Sequence, residues 1–228
     1  MNVEYRPNIN WVTFLLAMVA GFCDAATFVG GKSIFSAHVT GNFVFFATYF
    51  ASETRDADAW ARLLTFPVFF IAVMTGGWVV ERARRKHSIL LIEGIVLTLA
   101  GGVSILLSAV KGFDTKVVIY LVVLITVFGM GLQNAFGKLF ATETFGPTTM
   151  MTGNVTQAAI ELGHLIRNRG DAGKASRASF KKLRITIGAF LIGCLIGAVL
   201  SKRLGLGIII IPGLAIILCY FREFRRNL

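Results

Sequence analysis

Thr152-Gly153-Asn154 repeats a triplet that occurs earlier in the chain as Thr40-Gly41-Asn42. Each copy stands between a long apolar segment and a shorter segment with helical character. A polar residue embedded in apolar sequence precedes each copy: Asp24 lies 16 residues before the first triplet, and Asn134 lies 18 residues before the second. The same order of features, found twice, indicates that one unit has been duplicated.

The duplication divides the chain into repeat 1, at about residues 10–110, and repeat 2, at about 117–222. Composition places both repeats in a membrane. Of the 228 residues, 55% are hydrophobic and 15% are charged, and the mean hydropathy is +0.72. Soluble proteins carry about 25% charged residues, so we expect this chain to use the lipid bilayer as its solvent.

The net charge of +11 does not indicate nucleic-acid binding. Lysine and arginine fall in short runs at the ends of apolar segments, which is typical of topology signals, so we expect no nucleic-acid partner. The three cysteines lie inside apolar segments, and neither a P-loop nor a catalytic Cys/His pair nor a metal-ligand cluster is present in the sequence. We therefore predict that the chain is not an enzyme and has no metal or cofactor.

Eight apolar segments are recognised, of which the second and sixth are short. They cover residues 11–30, 40–51, 61–80, 88–110, 117–136, 152–166, 183–200 and 204–221. Apolar runs this short are often re-entrant rather than spanning. Between the sixth and seventh segments, residues 167–182 are predicted to be a basic loop.

The distribution of positive charge favours six spans over eight, because lysine and arginine accumulate on the cytoplasmic side. If both short segments enter and return, 16 of the 23 lysines and arginines lie inside, including the cluster at 82–86 and residues 167–184. Eight spans would separate these two groups. We predict an all-α membrane protein with six transmembrane helices, two short re-entrant helices and cytoplasmic termini. Three spans per repeat make it an inverted-topology 3+3 repeat.

The two triplets are the candidate solute site. Thr40, Gly41 and Asn42, with Thr152, Gly153 and Asn154, begin the short helices, whose positive N-terminal ends would meet from opposite faces. A simpler interpretation is that each triplet only caps a helix. Gln133 and Asn134 add hydrogen-bonding groups to the predicted solute site.

Asp24 is the candidate coupling residue, because a carboxylate deep in a span marks a proton or cation path. The alternative is that it reaches headgroup water near the end of its helix. Glu93 is interpreted as an interfacial residue paired with the basic cluster. His38 has no counterpart beside the second triplet and is not assigned a role. Gly193 and Gly197 predict close helix packing.

The motif G-x-x-D-A at the end of the first segment is followed by F-x-A-x-x-T-G-N at residues 35–42. Together with the second T-G-N, these motifs resemble the YoaK-type family of bacterial inner-membrane proteins, a family of unknown function. The resemblance covers nearly the whole chain. It implies a multi-pass protein of the bacterial inner membrane and supplies no substrate.

The function expected from these patterns is transport, by a carrier or a channel, of a small polar or anionic solute bound where the two repeats meet. A membrane scaffold or regulatory subunit without transport is the alternative. Such a subunit would have no need of polar residues at symmetric midplane positions. A homo-oligomer is compatible with either function.

Overall fold

The computed structural model describes residues 8–51, 59–83, 85, 87–110, 114–142, 144, 147–167 and 171–223, without the side chains of 171–173. Most of these residues are helical, and none of them lies in a β-strand, as predicted. The elements are α1 (Ile9–Gly30), α2 (Val39–Ala51), α3 (Ala59–Arg82), α4 (Ser88–Ala109), α5 (Thr115–Leu139), α6 (Met151–Arg167), α7 (Asp171–Leu204), a 3-10 helix (Gly205–Ile209) and α8 (Ile210–Glu223).

Five segments of the described chain are long and apolar enough to cross a membrane. They are α1, α3, α4, α5 and the continuous stretch Lys174–Glu223, which joins most of α7 to α8 through the 3-10 helix. α2, with 13 residues, is apolar but shorter. Large side chains such as Trp60, Phe70 and Trp78 are more than half exposed, as expected for a lipid-covered surface. The chain is therefore a multi-pass membrane protein.

Two sequence-based boundaries are wrong. Residues 171–182, predicted to lie in a basic loop, form the first turns of α7. Alanines and long basic side chains favour helix there, and one face packs inward, since Ser176 is buried. The predicted segment 204–221 begins with the 3-10 helix Gly205–Ile209, and α8 follows only from Ile210. The φ of Gly205, +71°, is a left-handed value that suits glycine.

α1 and α7 pack closely and run parallel. Gly193 lies against the backbone of Met18, and Gly197 lies against Phe22, four residues further along both helices. A β-carbon at either glycine would collide with the backbone of α1. The close packing predicted for Gly193 and Gly197 is thus confirmed, and it pairs a helix of the first half with one of the second.

α3 and α5 form the corresponding pair. Gly131 lies against Ala72, and a β-carbon at Gly76 would lie 2.7 Å from the Cβ of Ala135, again four residues further along both helices. α3 and α5 therefore also run parallel. Gly77, the neighbour of Gly76, faces open space.

α1 and α5 cross in opposite directions. The amide Nε2 of Gln133, near the end of α5, donates to the carbonyl of Leu16 in the first half of α1 at 2.7 Å. At the other end of α1, Gly31 meets Val123 in the first half of α5. Since later residues of α1 meet earlier residues of α5, the two helices are antiparallel.

α4 and α8 are antiparallel as well, and the two ends of the described chain meet. Gly94 contacts Ile217, and Gly101 contacts Ile210. At the start of α1, the backbone N–H of Asn8 donates to Oε2 of the buried Glu223 at 2.9 Å. The beginning of α1 and the end of α8 therefore lie on the same face of the bundle.

Candidate functional site

Asp24 organises the connection between α1 and α2. It is only 4% exposed, and its Oδ1 accepts hydrogen bonds from the backbone N–H groups of Ala37 at 2.8 Å and His38 at 3.2 Å. The linker, residues 31–38, thus folds back onto the carboxylate. Two charge-assisted bonds from backbone amides offset part of the cost of placing a carboxylate inside the bundle.

His38 supplies the third bond to this carboxylate. Its Nδ1 lies 2.6 Å from Asp24 Oδ2, and its ring meets Phe190 of α7 edge-on at 5.6 Å between centroids. The hydrogen bond to Asp24 raises the pKa of the His38 imidazole, and burial opposes part of that rise. Among the described residues Nε2 of His38 has no hydrogen-bond partner, and about a third of the side chain is exposed.

The exposed part of His38 faces a pocket of about 750 Å³ between α1, the start of α2 and α7. Its polar end is formed by Asp24, His38, Thr40 and Gly41. The rest of the wall is apolar and is lined by Ala25, Phe28, Val29, Phe35, Phe190, Cys194, Leu195, Ala198 and Val199. Several of these side chains are exposed on the outside of the bundle, so the pocket opens at the side of the bundle.

Asn42 does not line this pocket. It is fully buried, its Oδ1 accepts from the backbone N–H of Phe35 at 2.9 Å, and its Nδ2 donates to the carbonyl of the same residue at 2.8 Å. Nδ2 also donates to Thr65 Oγ1 of α3 at 3.0 Å. Asn42 therefore fastens the linker to both α2 and α3, which keeps His38 in place.

The second linker, between α5 and α6, is held in a similar way. Asn134 donates to Thr149 Oγ1 at 2.8 Å, and Asn154 donates to the carbonyl of Pro147 at 3.0 Å. Asn154 and Pro147 are seven residues apart, as are Asn42 and Phe35.

Gln133 ties the same linker to α1. Besides its bond to Leu16, its Nε2 donates to Thr148 Oγ1 at 2.8 Å. Gln133 and Asn134 therefore both bind the linker between α5 and α6, which leads to the second triplet.

The predicted site residues thus fall into separate groups. The pocket contains Asp24, Thr40 and Gly41, whereas Gln133 and Asn134 contact the second linker. The remaining four lie in the two short helices: Asn42 of α2 and Asn154 of α6 are buried, whereas Thr152 and Gly153 of α6 are exposed.

Two residues given little weight from the sequence occupy decisive positions. His38 pairs with Asp24, and its location just before a helix that starts with T-G-N was the available signal. Glu93 is 0% exposed, and neither carboxylate oxygen has a partner among the described residues. Its interpretation as an interfacial residue is therefore wrong, because the side chain points into the bundle.

Within the described chain, no group of three or more His, Cys, Asp or Glu could hold a metal.

A family model described as "Protein of unknown function (DUF1275)" matches residues 12–221. The match covers both triplets and both linkers. It agrees with the family resemblance carried by the motifs at residues 21–42 and 152–154. No curated protein and no solved structure matches the chain.

Proposed function

This chain belongs to the DUF1275 family, and we propose that it is a membrane transporter for a small solute with a polar or anionic group. The observation that carries the proposal is the Asp24–His38 pair at the polar end of a pocket. The apolar wall of that pocket suits a solute that also has an apolar part.

His38 is the residue that would contact the polar group. With Nδ1 donating to Asp24, the Nε2 atom is an acceptor in the neutral ring and a donor in the protonated ring. A protonated His38 would therefore bind an anionic group, and proton loss would weaken that binding. The N-terminal end of α2, which borders the pocket at Thr40 and Gly41, adds favourable positive potential. Asp24 participates in proton coupling by holding His38.

The proposed architecture is an inverted repeat of six spans with α2 and α6 as re-entrant helices. Two contact patterns support it. The corresponding helices α1 and α5 are antiparallel, as are α4 and α8, which inversion of the second copy requires. In addition, each first helix packs in parallel on the second span of the other half, α1 on α7 and α5 on α3. The proposed location is the bacterial inner membrane, with both termini cytoplasmic.

Transport is tested by reconstituting the purified protein in proteoliposomes. Uptake of a panel of small organic anions would be measured with and without an imposed pH gradient, inside acidic or inside alkaline. We expect at least one anion to be taken up in response to the gradient, and His38→Gln to abolish that uptake. His164→Gln, on α6 and outside the pocket lining, is the matched control and should transport normally.

The opposite result would favour the scaffold or regulatory alternative. If the parent protein moves none of the anions, or if His38→Gln transports like the parent, the pocket is not a solute path. Size-exclusion chromatography of both histidine variants confirms that any loss of uptake does not reflect misfolding.

A further inference from the structure

A second titratable group lies in the core of the helix bundle, away from the pocket. Glu93 is the sixth residue of α4 and is fully buried. Both of its carboxylate oxygens lack a hydrogen-bond partner among the described residues, and no described lysine, arginine or histidine forms an ion pair with it. An ionised carboxylate in such a place would carry a large desolvation penalty.

The packing of α4 on α5 brings Gln133 and Glu93 to the same level of the bundle. A β-carbon at Gly129 of α5 would lie 2.7 Å from a methyl carbon of Leu97 of α4. The connection between these helices is short, so they are antiparallel. Glu93 is one turn before Leu97 in α4, and Gln133 is one turn after Gly129 in α5. In antiparallel helices these two residues therefore lie at the same level.

Among the described residues, no positively charged side chain forms an ion pair with Glu93. Cys23 of α1 and Cys219 of α8, both buried, lie within electrostatic range of the carboxyl. The residue of α5 at the same level is the uncharged Gln133. The surroundings therefore favour the neutral form of Glu93.

Gln133 lacks a donor for its own oxygen. Gln133 is fully buried, and its Nε2 donates both to the carbonyl of Leu16 and to Thr148 Oγ1. Its Oε1 has no hydrogen-bond partner among the described residues. The Glu93–Gln133 cluster thus has three oxygen acceptors and no free donor. A single proton on Glu93 supplies the missing donor, since a carboxylic acid O–H can donate to the Gln133 oxygen.

We propose that Glu93 and Gln133 form a proton-binding site in the core of the bundle, occupied at neutral pH. Loss of the proton would leave a carboxylate that requires donors, and the Nε2 group of Gln133 is the side-chain donor beside it. If that group turned to Glu93, it would leave Thr148 and free the linker before α6. This consequence rests on the proposed transport function, whereas the proton site itself does not.

The proton is detected directly by infrared spectroscopy of the purified protein in lipid nanodiscs at neutral pH. A buried carboxylic acid gives a C=O stretching band that is separate from the bands of carboxylates and amides and that shifts in heavy water. We expect this band in the parent, its loss in Glu93→Gln, and its retention in Asp24→Asn. If Glu93→Gln removes no such band, Glu93 is ionised and the proposal is wrong.

Two further measurements identify the occupant and its partner. Gln133→Leu removes the acceptor, so the Glu93 band should move; an unchanged band would contradict the pairing. Replacing choline chloride by sodium chloride should leave the band in place, whereas its disappearance would show a sodium site instead. Should Glu93→Gln fail to fold, Glu93→Asp keeps the acid in a shorter side chain, and the band must then shift. These spectra require no transport assay, so the two proposals can fail independently.

Discussion

Asn42 and Asn154 each reach back seven residues along the chain to bind the backbone of the linker that precedes their helix. The two bonds occupy equivalent positions in the two halves, yet the two residues are not equally engaged. Asn42 makes two bonds to Phe35 and one to Thr65, whereas the side chain of Asn154 makes one bond within the described residues, to Pro147. The triplets therefore hold the linkers as well as starting the helices.

Asn42→Ala should destabilise the protein more than Asn154→Ala. The first substitution leaves the backbone N–H and C=O of Phe35 without their partner, and a buried polar group left unsatisfied costs about 1–3 kcal/mol. Thermal unfolding in detergent measures the difference. Equal unfolding temperatures for the two variants would contradict the assignment of Asn42 as the main clamp.

The stabilisation contributed by His38 should depend on pH. Its pKa is raised in the folded protein by Asp24. The contribution is therefore fully present below the unfolded-state pKa of about 6.5 and is lost as pH rises through the higher folded-state pKa. The stability difference between the parent and His38→Gln should shrink over that range. A difference that is constant from pH 6 to pH 9 would exclude the ion pair.

The pH profile of transport provides a separate test of Asp24. If Asp24 raises the pKa of His38, Asp24→Asn lowers that pKa, so the midpoint of anion uptake should move to lower pH. His38→Gln should remove the titration from the profile altogether. A midpoint that does not move in Asp24→Asn would show that Asp24 does not set the protonation of His38.

Gly193→Ala should disrupt the packing of α1 on α7. The added methyl group would collide with the carbonyl of Met18, and overpacking of this kind costs about 1–3 kcal/mol or more. Gly188→Ala is the matched control in the same helix, because open space surrounds Gly188. Thermal unfolding should show a loss for Gly193→Ala and none for Gly188→Ala.

The proposed six-span topology places the start of α7 inside and its end outside. Single cysteines at Ala178 and Lys202, both exposed on α7, would be introduced into a chain without Cys23, Cys194 and Cys219. In intact cells an impermeant thiol reagent should label the Lys202 position and spare the Ala178 position. The reverse pattern is expected from eight spans with the cluster at 82–86 inside, and it would refute the re-entrant assignment of α2 and α6.

Hydropathy predicted the four membrane-capable helices α1, α3, α4 and α5, because a span must satisfy its own backbone; the predicted segments 183–200 and 204–221 lie within one continuous stretch, Lys174–Glu223. The spacing of Gly193 and Gly197 predicted their packing, since small residues four positions apart permit close approach of two helices. Residues 171–182 were not predicted to be helical because they are mostly polar. A polar helix does not show the apolar run by which a membrane span is recognised in a sequence.

The site was predictable only in part. Asp24 was identified because a charge inside apolar sequence is costly wherever it lies. Its partner His38 was not, because their contact depends on the linker folding back over 14 residues. Glu93 was misplaced for a related reason: its proximity in sequence to the basic cluster suggested a pair, while the rotation of α4 directs the side chain inward.

The pairing of α1 with α7 has a consequence for the synthesis of the protein. Ala26 and Ser201, which are hydrogen-bonded to each other, are separated by 175 residues. At a translation rate of about 5–20 residues per second, roughly 9–35 s pass between them. During that interval the buried face of the newly made α1 has no native partner and must be shielded by lipid or by the insertion machinery. Because α1 packs on α7 and α3 on α5, each half lacks packing partners that the other supplies, and we expect two separately expressed halves to require co-expression to give a stable protein.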